Sequence, residues 1–390
     1  MLIKGARVAI SPTSAVKTNL WVHKGLISFS PVASADIATT LNLENFLVLP
    51  GLINAHDHLE LNLFPRLGHG PYPNATDWAK DIYHPQEPPV RQHLGVPKSI
   101  RLRWGAIKNL ISGVTTVGHH NALHPVMFEP TFAVRVVKRY GWAHSLSFSP
   151  DWETRLRSTP ANYPFIIHAA EGTNEAASRE IRILAEGGAL NRSTILVHGV
   201  AVRHADLPLM ASKGVSLVWC PTSNHFTLGR SVDTDVLNSG IPIALGTDSA
   251  ITADGDILDE LRTAHRTIEA HRLYGMVTSE PARMLNLPVG FGRICHGGPA
   301  DLVIMRDSGT SPAMALLEQY PEIVIVRGRV HLASLEFAHR CPVSILRSLQ
   351  PITIEDRGRY LIAEDVASLV HETKQTLRED LRLAGKAVAA

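Results

Sequence analysis

The chain has 390 residues and a formal net charge of +2, from 38 Lys and Arg against 36 Asp and Glu. Hydrophobic residues make up 45% and charged residues 19%, the balance of a folded globular chain, and the interleaved charge offers no basic field for nucleic acid or anionic lipid. Cys220, Cys295 and Cys341 are odd in number and far apart, and no apolar run reaches the ~20 residues of a spanning helix, so a reduced, cytoplasmic protein off the membrane is expected.

The opening MLIKGARVAISPTS has no sustained apolar segment and no small-residue cleavage site, so no signal peptide is expected. Residues 1–49 read as short strands, MLIKGARVAI, NLWVHKGLISF and NFLVLP, parted by Ser, Pro and Asp. Residues 50–296 change character. Apolar runs GVTTV, GWAHSLSF, PFIIHAA, TILVHGV, GVSLVW and IPIALGT alternate with helical patterns such as EAASREIRILAEGGAL and ADLPLMASKG. Continuous apolar strands alternating with helices imply a parallel sheet covered by helices, open or closed into a barrel. The stretch RVVKRYGW reads as a solvated helix face. After Leu287 the pattern returns to β, with GRICHGGPADLVIM and EIVIVRGRVHLAS as short strands, and AEDVASLVHETKQTLREDLRLAGKAVAA reads as a terminal helix that frays, so 297–390 is taken as the second part of the β-rich unit. Two β-rich ends around an α/β middle suggest a second small domain where the termini meet.

Reactive groups in parallel α/β folds gather where the strands end and the loops emerge. His56 and His58 end the first run, His119 and His120 the second, and His168 the PFIIH run, with Glu171 three residues on. His198 ends TILVH, Asp248 ends IPIALGTD, and Asn224 follows GVSLVWCPTSN. One histidine carries little weight among 20. Separate strand ends that supply His, His, Glu and Asp make a coherent set. Neutral imidazoles and a carboxylate suit zinc or a similar divalent ion, and a catalytic site keeps one position for water.

The order H-x-H, then H-x-x-E, then His, then Asp resembles the amidohydrolase superfamily of metal-dependent hydrolases. The phrases that carry the likeness are PGLINAHDH, GVTTV, HAAE, VHG, CPTSN, LGTDS, SEPARMLNL and GGPADLVI, across residues 48–304. The resemblance implies a distorted (β/α)8 barrel with a small β-sandwich built from both chain ends. It also implies that His56, His58, His168 and Asp248 bind the metal, that Glu171 shuttles protons, and that His198 contacts the attacking water or the substrate. Two-metal members add a carboxylated lysine. No lysine lies between Lys138 and Lys213, so a single ion is expected, zinc first, with iron or manganese fitting the same donors.

These roles point to hydrolysis of a non-peptide carbon–nitrogen bond in a small molecule, foremost the deamination of an aminated heterocycle. A cyclic amide or imidazolone, or a carbon–halogen bond, could be cleaved at the same site, and a scaffold without activity is the alternative of another class. His119, His120, Asn224, Trp78 and Arg230 are candidates for substrate contact. Cys220 reads as buried apolar filler. The segment from Phe64 to His93, rich in Pro, Gly and His, reads as a lid over the mouth. Only seven barrel strands are countable, ending near His56, Gly118, Phe148, His168, His198, Trp219 and Gly246. Either one β/α unit between Phe148 and Pro164 is reduced, or the barrel is incomplete there. Oligomeric state stays open, with a homodimer the commonest default.

Overall fold

The computed structural model describes residues 1–31 and 39–390. Parallel strands occupy the middle of the chain: β1 (Leu52–Asp57), β2 (Val114–His119), β3 (Arg135–Val136), β4 (Gly141–Ser145), β5 (Phe165–Ala169), β6 (Thr194–His198), β7 (Ser216–Trp219) and β8 (Ile243–Leu245). Every residue of β1, β2, β5, β6, β7 and β8 is buried, which explains why they read as unbroken apolar runs rather than alternating ones.

The strands pair in the orders β1-β2-β3 and β4-β5-β6-β7-β8. A bridge between Asp57 and Asp248 joins the first strand to the loop after the last. The two sheets are not laddered between β3 and β4. There the His120 imidazole lies with Nε2 2.9 Å from the carbonyl oxygen of Ala143, so a side-chain hydrogen bond crosses the gap. The barrel is therefore distorted.

The eighth strand lies elsewhere than the sequence suggested. β3 sits inside RVVKRYGW, which is strand and turn rather than a helix face, with Val136 and Val137 buried. The reduced part of the barrel is the stretch from β2 to β4, whose connections carry only a 3-10 turn at Pro125–Phe128. The segment after Phe148 does form a helix, Trp152–Ser158. Two buried residues are too short a run to register as a strand by periodicity.

The helix Glu175–Glu186 shows how local sequence builds the outer layer. Asn174 caps it by accepting a hydrogen bond from the Ala177 amide at 3.0 Å, and Ala177, Ile181 and Leu184 turn one stripe to the core. The helix Lys98–Leu110 packs behind β1 at close range. A Cβ on Gly105 would lie 2.2 Å from the Leu59 carbonyl oxygen, so only glycine permits that approach.

Both chain ends join one β layer. Leu302–Arg306 runs antiparallel to Phe46–Pro50, and Arg7–Ala9 lies parallel to it on the other side. A second sheet, from Leu2–Lys4, Leu20–His23, Leu26–Ser28 and Thr40–Asn42, closes over a core that includes Ile3, Leu20, Phe46, Val48, Ile304 and Ile325. Buried Arg357, in the turn between strands Gln350–Ile354 and Gly358–Ile362, pairs with Asp256, which caps helix Ile257–Ala264. This pair ties the β layer to the barrel.

The expected terminal helix is shorter. It spans Val366–Lys374, and the chain then forms an antiparallel hairpin of Arg382–Leu383 and Lys386–Ala389. Ala384 and Gly385 both have positive φ, the signature of a tight hairpin turn, and Leu381, Leu383 and Val388 are buried. Among the described residues no helix is long and apolar enough to cross a membrane.

Candidate metal centre

The ends of β1, β5, β6 and the loop after β8 converge. His56 and His58 flank Asp57 on β1, so alternation sends both imidazoles to one side and the Asp57 carboxylate to the other. His168 Nε2 lies 3.2 Å from His56 Nε2 and 3.4 Å from His58 Nε2. Asp248 Oδ1 lies 3.7 Å from His56 Nε2 and 3.6 Å from His58 Nε2. A tetrahedral ion with ligands at ~2.05 Å requires donor–donor separations of about 3.3 Å. The separations of His168 and Asp248 from the His56/His58 pair lie near that value.

Charge state agrees with geometry. Burial drives the His56 imidazole down to about 3 and, with neighbouring imidazoles, holds His168 well below its ordinary value. Neutral rings with free lone pairs are the form a metal binds. Burial alone would raise the Asp248 carboxyl, but His56, His198 and His58 hold it well below the usual carboxylate range. Lone pairs facing one another beside a carboxylate are a cation site.

Backbone strain marks the same place. Ala170, His198 and Asp248 adopt left-handed backbone with φ of 54°, 76° and 57°, which non-glycine residues adopt only where surrounding contacts impose it. The Asp248 conformation is held by hydrogen bonds from its amide to the His56 carbonyl (3.1 Å) and from the His58 amide to its own carbonyl (3.0 Å). Its Oδ2 accepts hydrogen bonds from Ser223 Oγ at 2.6 Å and Thr252 Oγ1 at 3.0 Å, leaving Oδ1 toward the histidines. A Cβ on Gly246 would come within 2.8 Å of the His56 Cβ, so a side chain there would push the first ligand away.

Glu171 and His198 sit at the edge of the cluster. His198 Nε2 lies 3.5 Å from Glu171 Oε1 and 4.0 Å from Asp248 Oδ2. Burial first, then the Asp248 and Glu180 charges, push the Glu171 carboxyl up to about 7 against the pull of His198. A group poised there can hold or release a proton at neutral pH.

The remaining candidates divide. Trp78 lines the cavity above the cluster, which has a volume of about 640 Å³. Asn224 lies behind His198, with Oδ1 2.9 Å from its Nδ1, and fixes that ring rather than lining the cavity. His120 belongs to the imidazole cluster, with Nε2 directed to Ala143. His119 is fully buried, 3.6 Å from Glu60 Oε2, away from the cavity wall. Arg230 is outside the cavity and pairs with Asp233 on the surface, because the loop after helix Pro221–Leu228 carries it outward. Cys220 is fully buried among apolar side chains.

Two wall residues escaped sequence reading. His144 on β4 faces the cavity with its ring centroid 4.7 Å from that of His168. Its run was read through to Phe148, which hid the imidazole inside the strand. Asn121 places Nδ2 3.1 Å from His58 Nδ1. It follows two histidines and carries no spacing signal of its own. The expected lid, Phe64–His93, walls the cavity through Phe64, Leu67, Trp78, Ile82 and Val90.

Comparisons place this geometry among known proteins. Residues 156–331 match the model of the amidohydrolase family. A 5-methylthioadenosine/S-adenosylhomocysteine deaminase from Natronomonas pharaonis is 26% identical over 343 residues, covering 72% of this chain and 77% of the relative. One of the same name from Pyrococcus furiosus is 24% identical, covering 78% and 86%. Among solved structures, a zinc-bound adenosine deaminase from Xanthomonas campestris superposes with a TM-score of 0.72 at 20% identity, covering 96% of this chain and 97% of that one. An atrazine chlorohydrolase from Arthrobacter aurescens complexed with zinc gives 0.71 at 17%, covering 96% and 99%.

Proposed function

We propose that the chain is a member of the amidohydrolase superfamily and that it hydrolytically deaminates an aminated heteroaromatic compound, using one divalent ion, zinc foremost. The observation that carries this reading is the convergence of His168 Nε2 and Asp248 Oδ1 on the Nε2 atoms of His56 and His58, each 3.2–3.7 Å from that pair, beside a carboxyl raised to about 7.

A divalent ion bound by His56, His58, His168 and Asp248 would lower the pKa of a water in the site from about 15.7 toward ~7. The protein's own groups then divide the proton work. Asp248, held ionised, accepts a proton from the attacking water. Protonated Glu171 donates to a ring nitrogen, which makes the adjacent amine-bearing carbon electrophilic. The carboxylate left behind takes the hydroxyl proton of the tetrahedral adduct and passes it to the departing amine, so that ammonia leaves as the carbonyl forms, and the proton held by Asp248 returns Glu171 to its acid form. Asn224 Oδ1 accepts from His198 Nδ1 at 2.9 Å, so Nε2 is the nitrogen that faces Glu171.

The cavity argues for the far end of the substrate. Leu61, Phe64, Leu67, Ile82, Val90 and Leu94 form an apolar lobe. Trp78 donates its indole N–H to the Leu67 carbonyl at 3.0 Å, so it presents only its ring. Arg155 is engaged by Asp151 at 2.9 Å, and Asn121 by Glu60 at 3.1 Å. Such a lobe suits an alkylthio or similar apolar substituent, as on the 5-methylthioadenosine in the relatives' name, better than a charged tail. A cytoplasmic, small-molecule role fits this reading.

The test is an ammonia-release screen over aminated purines, pyrimidines and triazines, with zinc-loaded protein and a chelated control. Ring-opened product or released halide without ammonia would turn the assignment to one of the other bonds.

A further inference from the structure

Behind β1, on the side away from the histidines, lies a cluster of polar side chains that the proposed reaction does not use. Asp57 and Asn54, Asn62 and Lys108, Asn109 and Thr247 are all buried, with Asp57 at 0% and Lys108 at 1% exposure. The Asp57 carboxylate is saturated. Its Oδ1 accepts from Asn62 Nδ2 at 2.6 Å, and its Oδ2 from Asn109 Nδ2 at 2.8 Å, Thr247 Oγ1 at 2.9 Å and Asn54 Nδ2 at 3.1 Å. Lys108 Nζ lies 3.6 Å from the same carboxylate and donates to Asn62 Oδ1 at 2.8 Å and Thr247 Oγ1 at 3.2 Å.

Asp57, Thr247 and Asn54 are joined to the metal centre through one peptide bond or one hydrogen bond, and Lys108 and Asn109 reach it through them. Asp57 stands between His56 and His58, and Thr247 precedes Asp248. Asn54 Oδ1 accepts from the amides of His56 at 3.3 Å and Thr247 at 3.2 Å. This is also where the barrel closes between its last strand and its first, and there Asp57 and Asp248 meet in an isolated bridge rather than a ladder. Side chains here perform the joining that a ladder performs elsewhere.

We propose that this buried Asp57–Lys108–Thr247 cluster is a positioning device: it sets the distance between the H-x-H pair and Asp248, and holds Asp248 in its left-handed backbone. A fully buried ion pair is a weak source of stability, because desolvation offsets its attraction. Its retention against the metal ligands is accounted for by geometry. Residues that hold metal ligands in place typically change metal affinity 10–100-fold when altered. The inference rests on the metal-centre reading above.

The experiment uses Co²⁺ as probe, read by its visible absorption and by chelator competition, alongside urea unfolding of the apoprotein. Thr247→Val removes the central hydroxyl at nearly constant volume. Its Co²⁺ affinity is expected to fall 10–100-fold with an altered absorption band, and Thr247→Ser to restore both to within about two-fold. Should Thr247→Val fail to fold, the double variant Asp57→Asn with Lys108→Met withdraws both charges together and is read in the same way. A folded variant with wild-type Co²⁺ affinity and spectrum would overturn the proposal. Absence of Co²⁺ binding by the wild-type protein would instead remove the metal-centre reading itself.

Discussion

His198 Nε2 faces Glu171 Oε1 at 3.5 Å, while Asn224 Oδ1 holds the opposite nitrogen of the same ring at 2.9 Å. One ring thus couples a fixed amide to a carboxyl whose burial keeps it near neutrality. Burial raises the Glu171 carboxyl to about 7 against the pull of this ring, in a site that also holds the Asp248 carboxyl well below the usual range.

Glu171→Gln is expected to keep one metal per chain and lower kcat by 10²-fold or more, since general acid–base groups contribute 10²–10⁴. The protonated form acts first, so the wild-type rate falls as pH rises through the Glu171 pKa, about 7 without a cation and lower beside one. The variant should lose that limb. Metal content and pH–rate profiles check this, and an unchanged kcat would take Glu171 out of the mechanism.

Glu260 tests the pH dependence of stability away from the site. Burial pushes its carboxyl up to about 8, against an unfolded value of about 4.3. The folded chain then holds more protons than the unfolded one between these values. Stability from this group is complete below the unfolded pKa and is lost as pH rises through the folded one. Glu260→Gln keeps an oxygen for the Thr222 amide, now 3.1 Å away, and removes the titration. Its urea midpoint should therefore decline less between pH 5 and pH 8 than that of the wild type. Equal declines would contradict the assignment.

Trp78→Ala opens the apolar lobe. Burial of a large apolar side chain or substituent is worth roughly 1.5–3 kcal/mol, so kcat/KM for an alkylthio-substituted amine should fall about 10–100-fold. An unsubstituted heterocycle should be nearly indifferent. Kinetics on the matched pair decide, and equal losses on both would mean that Trp78 shapes the metal centre rather than the lobe.

Arg357→Ala strands the buried Asp256 carboxylate and loses a hydrogen bond to the Ile111 carbonyl. Removing one partner of a buried ion pair typically costs about 3–5 kcal/mol. Denaturant unfolding should show a loss of that order, with ammonia release per folded molecule little changed.

The barrel and the cluster of side chains at its rim were legible in the sequence because parallel strands are buried on both faces. An apolar run that ends in His or Asp therefore announces a strand end, and strand ends share one rim. His56, His58, His168, Glu171, His198 and Asp248 were readable for that reason. Which other polar residues line the cavity was not. The outward turn of Arg230, the retreat of His119 toward Glu60 and the service of Asn224 to His198 depend on loop paths that carry no period. The eighth strand and the terminal hairpin were missed because two residues, or a short alternation beside a helix, give too little signal. By itself the sequence determined which donors exist and that they end strands. Tertiary structure alone decided the 3.2–3.7 Å separations of His168 and Asp248 from the His56/His58 pair, since those follow from how the barrel closes around Asp57, Lys108 and Thr247.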